Sequence, residues 1–444
     1  MQRNFLALFL LLCGCGEEPS PQLSRDELLR PESCKDCHPD HYREWSGSMH
    51  AYAAEDPVFR AMNARGQRET QGALGDFCVR CHAPMAVAEG ATTDGLNLDQ
   101  IPQQLKGITC YFCHTVESVE GTHNNPLKLS GGTLMRGGIA DPKANEGHES
   151  AYSSLHDRKK IQSSDLCGSC HDVVTPAGIH LERSYLEWKE SLFGQNLEGR
   201  LLNCNQCHMT GRDGPASTTF PNLTRRVHAH TFPAIDVALT PFPEMEAQKN
   251  AIQKELDPTL QAELCAAAMP GFFQIDVTLD NLSAGHSFPS GAAQDRRVWL
   301  ELIAYSGNQI IFQSGVTPDN EAITALADPN LWLLRDWMHD QMGNEVHMFW
   351  EAKDIVSEVL EQGKTSDPTK PGFFHAKTRS FKITNGTPDR ITMRVRVQPI
   401  GLDVLDKLIE SGDLATEFRS KMPTFELAGT KLEWTSANGT QCIK

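Results

Sequence analysis

Apolar residues recur at every second position in three runs of the second half of the chain. This alternation runs through residues 273–280, 298–304 and 391–397. A period of two is typical of strands with one buried face and one solvated face. A turn at 306–308, with Gly307 at its centre, predicts a hairpin into a further strand at 310–313. The pattern therefore predicts an antiparallel, β-sandwich-like domain with flanking helices over residues 270–444.

Helical spacing flanks these strands on both sides. Residues 243–268 predict helices, with Asp257 as an N-cap and proline at the first helical position. We therefore assign residues 233–269 to a helical connector. Apolar residues spaced by three and four over 402–409 predict an amphipathic helix.

The first half of the chain has few long periodic segments, but it repeats one short motif five times. The motif is Cys-x-x-Cys-His, and the copies begin at Cys34, Cys78, Cys110, Cys167 and Cys204. Two thiols three positions apart can add to the two vinyl groups of one haem c. The adjacent histidine then reaches the iron as its proximal ligand.

Five covalently bound haems follow from these copies. The attachment cysteines would be Cys34, Cys37, Cys78, Cys81, Cys110, Cys113, Cys167, Cys170, Cys204 and Cys207, and the proximal ligands His38, His82, His114, His171 and His208. Zinc would also use such cysteine pairs, but it would not require a histidine after each second cysteine. Disulfides suit an exported protein, but they leave the histidines unexplained. Cys265 and Cys442 lie outside the motifs, and the sequence leaves open whether they pair.

Histidines also supply the candidates for the distal iron ligands. The chain has seventeen, so twelve remain after the proximal set, and we nominate His50, His123, His156, His230 and His286. His148, His180 and His228 are the reserves, whereas His339, His347 and His375 are assigned to structure or surface. Histidine on both faces suits a low-potential electron-transfer haem, whereas methionine, as at Met49 or Met209, would raise the potential.

Two runs of sequence resemble a known family. In residues 34–51 the motif is followed by Trp45 and His50, as at the start of multihaem cytochromes of the cytochrome c-554-like family. Residues 154–209 are similar as well, and a weaker likeness extends to 285–291. The resemblance implies an exported electron carrier with closely packed haems and mainly bis-histidine irons. The tetrahaem type member has one haem fewer and no comparable C-terminal half.

The motifs and the strand pattern together predict an α+β multidomain protein. Residues 34–232 would form a pentahaem domain of short helices and loops. A domain with so few regular helices and strands needs apolar core area from a source other than its side chains. The haem macrocycles would supply that area.

The N-terminus predicts export. Residues 1–14 read as a lipoprotein signal peptide, with a short apolar run that ends at Leu12-Cys13-Gly14-Cys15. Resemblance to a bacterial lipobox implies cleavage before Cys15 and a lipid on its thiol, which would hold the chain to a membrane. An ordinary secretory signal is the alternative. Glycine rather than aspartate after Cys15 favours the outer membrane, facing the periplasm or the cell surface. Residues 15–33 would be a flexible tether.

The charge bounds the partners. A formal net charge of -16 makes nucleic acid an unsuitable partner. The main effect of this negative charge is solubility. It also favours a cationic redox partner or a metal ion. Redox partner proteins, such as other cytochromes or a quinol oxidase module, are expected; the oligomeric state is open.

Three functions compete at this level. The first is electron transfer through the five haems, which needs no catalytic residue. The second is a multihaem oxidoreductase that acts on a small nitrogen or sulfur compound at one five-coordinate haem. Only Tyr111 and the Lys159-Lys160 pair stand out as polar groups near a motif, and packing and a solvated face explain them equally well. The third is a subunit of a cytochrome filament or conduit.

Overall fold

Short helices and small sheets build the N-terminal half of the computed structural model, which describes residues 22–199 and 201–444. The helices are α1 (Arg25–Leu28), α2 (Pro39–Ser46), α3 (Met49–Tyr52), α4 (Pro57–Glu69), α5 (Val79–His82), α6 (Pro84–Ala88), α7 (Cys110–His114), α8 (Gln162–Gly168), α9 (Ser184–Glu190) and α10 (Cys204–His208). The predicted signal peptide and the predicted lipid on Cys15 lie outside the described residues. None of the described helices is long and apolar enough to cross a membrane.

Eight short strands connect these helices in pairs. They are β1 (Val116–Val119), β2 (Leu127–Leu129), β3 (Leu134–Gly137), β4 (Glu149–Tyr152), β5 (Val173–Val174), β6 (His180–Glu182), β7 (Gly211–Pro215) and β8 (Thr224–His228). Three pairs are antiparallel, and β3 with β4 is parallel. Such short pairs bury little apolar area by themselves, which agrees with a domain that depends on another core.

Three of the five motifs sit on single helical turns. Helices α7 and α10 each consist of one complete motif, and α5 contains the last four residues of another. A helical turn brings residues three apart to the same side, so both thiols of each motif face one way. The last part of the predicted tether is folded instead of flexible. Ser24 caps α1 through its side chain, and Leu28 is fully buried, so this apolar residue anchors the segment.

The C-terminal half is a β domain with two flanking helices. Its elements are α11 (Met245–Leu256), β9 (Gln261–Met269), β10 (Phe272–Asp280), β11 (Arg297–Ser306), β12 (Gln309–Ser314), β13 (Leu333–Leu334), β14 (Asp336–His339), β15 (Glu345–Val346), β16 (Asp354–Ser357), β17 (Lys377–Ile383), β18 (Arg390–Gln398), α12 (Leu402–Glu410) and β19 (Phe425–Thr435). The sheets run β17-β10-β9, β12-β11-β18-β19 with β13 beside β11, and β15-β14-β16, all antiparallel. The predicted α+β organisation is confirmed.

The alternation seen in the sequence produces the core between the first two sheets. Ile275 and Val277 of β10 are fully buried, as are Leu302 of β11 and Val395 of β18, and all belong to one apolar cluster. The predicted helix over 257–268 is wrong, because β9 occupies most of that segment and pairs with β10 along its whole length.

A disulfide closes the C-terminal domain. Cys265 in β9 is bonded to Cys442 across 177 residues of sequence, and the neighbouring Leu264 and Ile443 exchange two backbone hydrogen bonds of 2.9 Å. We expect Cys442→Ser to reduce the free energy of unfolding by about 3–5 kcal/mol, because the cross-link restricts a long loop in the unfolded chain. Urea unfolding followed by tryptophan fluorescence measures this. Cys265→Ser should lose the same amount, and an unchanged midpoint would contradict the prediction.

A buried ion pair links β11 to α12. The Arg297 side chain is fully buried and its Nε donates to Asp403 over 3.1 Å. Burial disfavours the carboxylate, but the Arg297 guanidinium holds the pKa of Asp403 below its usual value. Because this folded pKa is lowered, the stabilisation is present above the unfolded pKa near 4 and is lost as pH falls. We expect Asp403→Asn to cost about 3 kcal/mol at pH 7, with the difference from the parent shrinking below pH 4 in urea titrations; a difference that grows on acidification would contradict this.

Candidate haem-binding sites

The motif histidines are oriented as metal ligands by their backbone contacts. In four of them the Nδ1–H donates to a carbonyl oxygen: His38 to Ala216 (2.7 Å), His82 to Ala53 (3.1 Å), His114 to Arg136 (2.6 Å) and His208 to Pro233 (2.7 Å). A carbonyl oxygen can only accept, so Nδ1 carries the proton and Nε2 keeps its lone pair. A fixed tautomer of this kind is what a metal-bound imidazole requires.

Four of the five motif histidines face a second imidazole at the same distance. The ring centres are 6.3 Å apart in each of the pairs His38–His148, His114–His230, His171–His50 and His208–His286. Imidazole nitrogens lie about 2 Å from a bound metal, so two imidazoles on opposite sides of an iron hold their ring centres roughly 6 Å apart. The four pairs have the separation that a bis-histidine haem needs.

The second imidazoles are also held for ligation. The Nδ1–H groups of His148, His230 and His286 donate to the carbonyl oxygens of Glu149, His228 and Ser287 over 3.0, 2.9 and 2.9 Å. His286 comes from the C-terminal domain, where its own carbonyl oxygen accepts from the side-chain amide of Asn281 (2.7 Å). That domain therefore contributes directly to the site around the last motif.

Burial keeps these imidazoles neutral. It lowers the pKa of His50 to about 3, helped by the charge of His171, and it lowers the pKa of His171 to about 4. Only the neutral ring offers a lone pair to a metal, so histidines with lowered pKa values remain available as ligands at acidic pH.

The thiols fit the same cofactor. Among the described residues, the ten motif cysteines are all free, whereas the two cysteines outside the motifs form the disulfide. Unpaired thiols beside a neutral, oriented imidazole are the donor set that haem c uses: two thioethers and one axial nitrogen. Haem c bound there supplies a one-electron iron couple.

The nominated distal histidines fall into three groups. His50, His230 and His286 each face a motif histidine, as described above. His156 lies near His114, but the 5.2 Å between their rings is too short for an iron between them. Its Nε2 donates to the Cys113 carbonyl oxygen (3.0 Å), and its Nδ1 is buried without a hydrogen-bond partner. His123 faces His180 at 6.5 Å instead of a motif histidine.

Two residues near the motifs were missed by the sequence reasoning. His148, only a reserve candidate, faces His38; it follows a glycine-rich loop that gave no helical or strand signal. Phe59 of α4 stacks flat on His82 with ring centres 3.9 Å apart. Among the described residues, the other four motif histidines each face a second imidazole, whereas the ring contact of His82 is with the phenyl ring of Phe59.

Buried charges lie between the two halves of the chain, close to His82 and His171. The Arg296 guanidinium makes a two-pronged contact with the Asp236 carboxylate at 2.9 and 3.1 Å. Burial raises the pKa of Glu182, which lies near Arg296, to about 7. These groups surround the sites of the second and fourth motifs with fixed charge, and fixed charge near an iron tunes its potential.

The other polar groups noted in the sequence have structural partners or face solvent. The Tyr111 hydroxyl donates to the Gly132 carbonyl oxygen (2.7 Å) inside the domain. Lys159 and Lys160 are exposed. Neither observation adds a catalytic group to the motifs.

Comparison with known proteins agrees with this geometry. The family described as "Cytochrome c554 and c-prime" matches residues 33–115. This part of the chain is thus similar to the c554-like multihaem cytochromes c. No curated protein sequence matches it significantly.

One solved structure shares the fold of this chain. It is the penta-haem cytochrome c552 from Thermochromatium tepidum, with 19% sequence identity and a TM-score of 0.65 over 93% of this chain and 100% of that chain. The predicted resemblance to a multihaem cytochrome is confirmed. The assignment of individual ligands stays a prediction.

Proposed function

We propose that the chain is an exported, lipid-anchored electron carrier with five covalently bound haems, of which four have two histidine ligands. The observation that carries this proposal is the common 6.3 Å separation of four imidazole pairs. Two strong-field nitrogen ligands fill both axial positions of an iron, which favours electron transfer over substrate binding.

Contacts between motifs give the order of the relay. The thiol of Cys34 interacts with that of Cys110, which places the first motif beside the third. The indole Nε1–H of Trp45, which follows the first motif, donates to Ile108 just before the third (2.7 Å). These two positions form one end of the relay.

We infer that the fourth motif is central, since Cys113 of the third motif acts electrostatically on both of its thiols. The thiol of Cys170 interacts with Cys81 of the second motif, and that of Cys167 interacts with Cys204 of the fifth. Asn125 connects the second and fourth motifs. Its backbone N–H donates to the carbonyl oxygen of Ser169 (2.6 Å), and its side-chain amide donates to the carbonyl oxygen of Arg80. We infer a branched relay in which the fourth position connects the first and third with the second and fifth.

The envelope location rests on the N-terminal sequence. A lipid on Cys15 would tether the cytochrome to the outer membrane, facing the periplasm or the cell surface, with other cytochromes or a quinol oxidase module as redox partners. Cys15→Ser should release the protein from membranes into the soluble envelope fraction without changing its haem content. Unchanged membrane association would remove the lipid anchor from the proposal.

The haem count is tested on purified protein. Mass spectrometry under denaturing conditions should give the mature chain plus five haems, and a coulometric reductive titration should take up five electrons per chain. Fewer bound haems, or electrons that do not redistribute among them, would overturn the carrier proposal.

The second candidate function belongs to the second motif. His82 stacks on Phe59 and, among the described residues, has no recorded imidazole opposite it, unlike the other four motif histidines. We propose this position as the site of an oxidoreductase activity on a small nitrogen or sulfur compound, should the carrier prove to turn substrate over. Nitrite and hydroxylamine would then alter a high-spin ferric signal whose shape His82→Ala changes. Five low-spin irons would exclude this candidate.

A further inference from the structure

An apolar surface lies beside the fifth motif. Three large side chains there are partly exposed: Tyr152 at 39%, Ile161 at 41% and Leu202 at 38%. They belong to one surface, because the Asn203 side-chain amide donates to the carbonyl oxygens of Arg158 (2.7 Å) and Lys160 (2.9 Å). Single exposed apolar residues are ordinary, whereas several together mark a docking surface.

Positive charge borders this surface. Arg158, Lys159 and Lys160 follow one another, and none of them has an ion pair among the described residues. The adjacent carboxylate of Asp157 accepts from the Tyr152 hydroxyl (3.0 Å) and from the backbone N–H of Lys159 (2.9 Å). We call these three cations, with Tyr152, Ile161 and Leu202, the basic face. Its run of three cations contrasts with the net charge of the chain, which is -16.

The basic face adjoins one predicted haem position. Asn203, which binds it, is also the N-cap of α10, whose cysteines belong to the fifth motif. The Cys204 backbone N–H donates to Ser164 (3.2 Å), so the segment after Lys160 is packed against the same motif. Cys207 is exposed. The fifth motif therefore lies directly beside this surface.

We propose that the basic face is the docking site of an acidic electron-transfer protein, which exchanges electrons at the fifth position. An apolar centre with a charged rim is the composition of a transient interface, and local charge complementarity guides the encounter. This inference rests on the proposed carrier function and specifies its partner. It also departs from the expectation set by net charge, because an acidic chain as a whole favours a cationic partner.

The test compares two double variants of the haem-loaded protein. Lys159→Gln/Lys160→Gln removes two charges from the basic face, and the matched control, Lys407→Gln/Lys421→Gln, removes two from exposed positions of the C-terminal domain. Stopped-flow absorbance follows reduction by reduced flavodoxin, a small acidic carrier, and by a small basic reduced cytochrome c.

We expect the basic-face variant to accept electrons from flavodoxin roughly three- to tenfold more slowly at low ionic strength, with the difference disappearing at high salt. The control variant should react like the parent, and the basic carrier should not be slowed in either variant. Equal flavodoxin rates in all three proteins, or the same slowing in the control, would overturn the docking site.

Two further readouts distinguish weaker docking from a loss of electron uptake and from a change in self-association. A neutral quinol should reduce all three proteins at the same rate; failure to reduce even the parent would refute the carrier function itself rather than the docking site. Sedimentation should be identical for the parent and the variants. A change caused by the basic-face substitutions would assign that surface to a second copy of the chain and overturn the proposal.

Discussion

Replacing His148 with alanine is expected to convert one ferric haem per chain from low spin to high spin. His148 faces His38 at 6.3 Å and lies on the loop before β4, so its removal leaves the iron of the first motif with one protein ligand. An iron with a single imidazole has a sixth coordination position that is empty or holds water. Its ligand field is therefore weaker, which favours high spin. Quantified electron paramagnetic resonance measures the number of irons affected.

The matched control is His156→Ala. His156 is also buried and close to a motif histidine, but its Nε2 is bonded to the Cys113 carbonyl oxygen. We expect its loss to leave all low-spin signals in place and only to reduce stability. A high-spin iron in the His156 variant, with none in the His148 variant, would reverse the assignment of these two residues.

Removing the fourth motif is expected to divide the relay. In Cys167→Ala/Cys170→Ala the thiols that contact the second and fifth motifs are lost, together with covalent attachment of one haem. The mass should fall by one haem, so His50 and His171 should lose the iron that they would share. Electrons supplied at one end should then equilibrate more slowly with the other. Reduction kinetics followed at several wavelengths should then show two separate phases.

The matched control removes the fifth motif instead. Cys204→Ala/Cys207→Ala also deletes one haem, but its position is at an end of the inferred order. Equilibration among the remaining positions should therefore stay fast. Equal slowing in both variants would contradict the central place of the fourth motif. Absorbance and mass of each variant show first that the other four haems are bound.

The motifs were predictable because their chemistry is local. Attachment needs two thiols and one histidine within five residues, and one helical turn is enough to orient them, as α7 and α10 show. The distal ligands are different, since the fold brings them from elsewhere in the chain. His50 follows the first motif but faces His171 of the fourth, and His230 follows the fifth but faces His114 of the third. Proximity in sequence could not identify these partners.

In the β domain, too, features set by neighbouring residues could be predicted, whereas those set by distant parts of the chain could not. The three strands that the alternation predicted, β10, β11 and β18, are present. The alternation reflects one buried face in β10 and in the first part of β18, whereas β11 is buried on both faces over most of its length. Just before β9, the Asp257-Pro258 pair imitated a helix start, although Asp257 in fact ends α11. Pairing with β10 and the bond from Cys265 to Cys442 select the extended form, and neither is visible without the fold.

Quantified electron paramagnetic resonance of the fully oxidised parent tests the central claim most directly. Integrated against a copper standard, the spectrum should contain four low-spin ferric irons per chain with two imidazole ligands each, from the four pairs at 6.3 Å. The fifth iron, bound by His82, should differ from them. Fewer than four such low-spin irons would show that the imidazole pairs are not haem ligands and would contradict the proposed carrier.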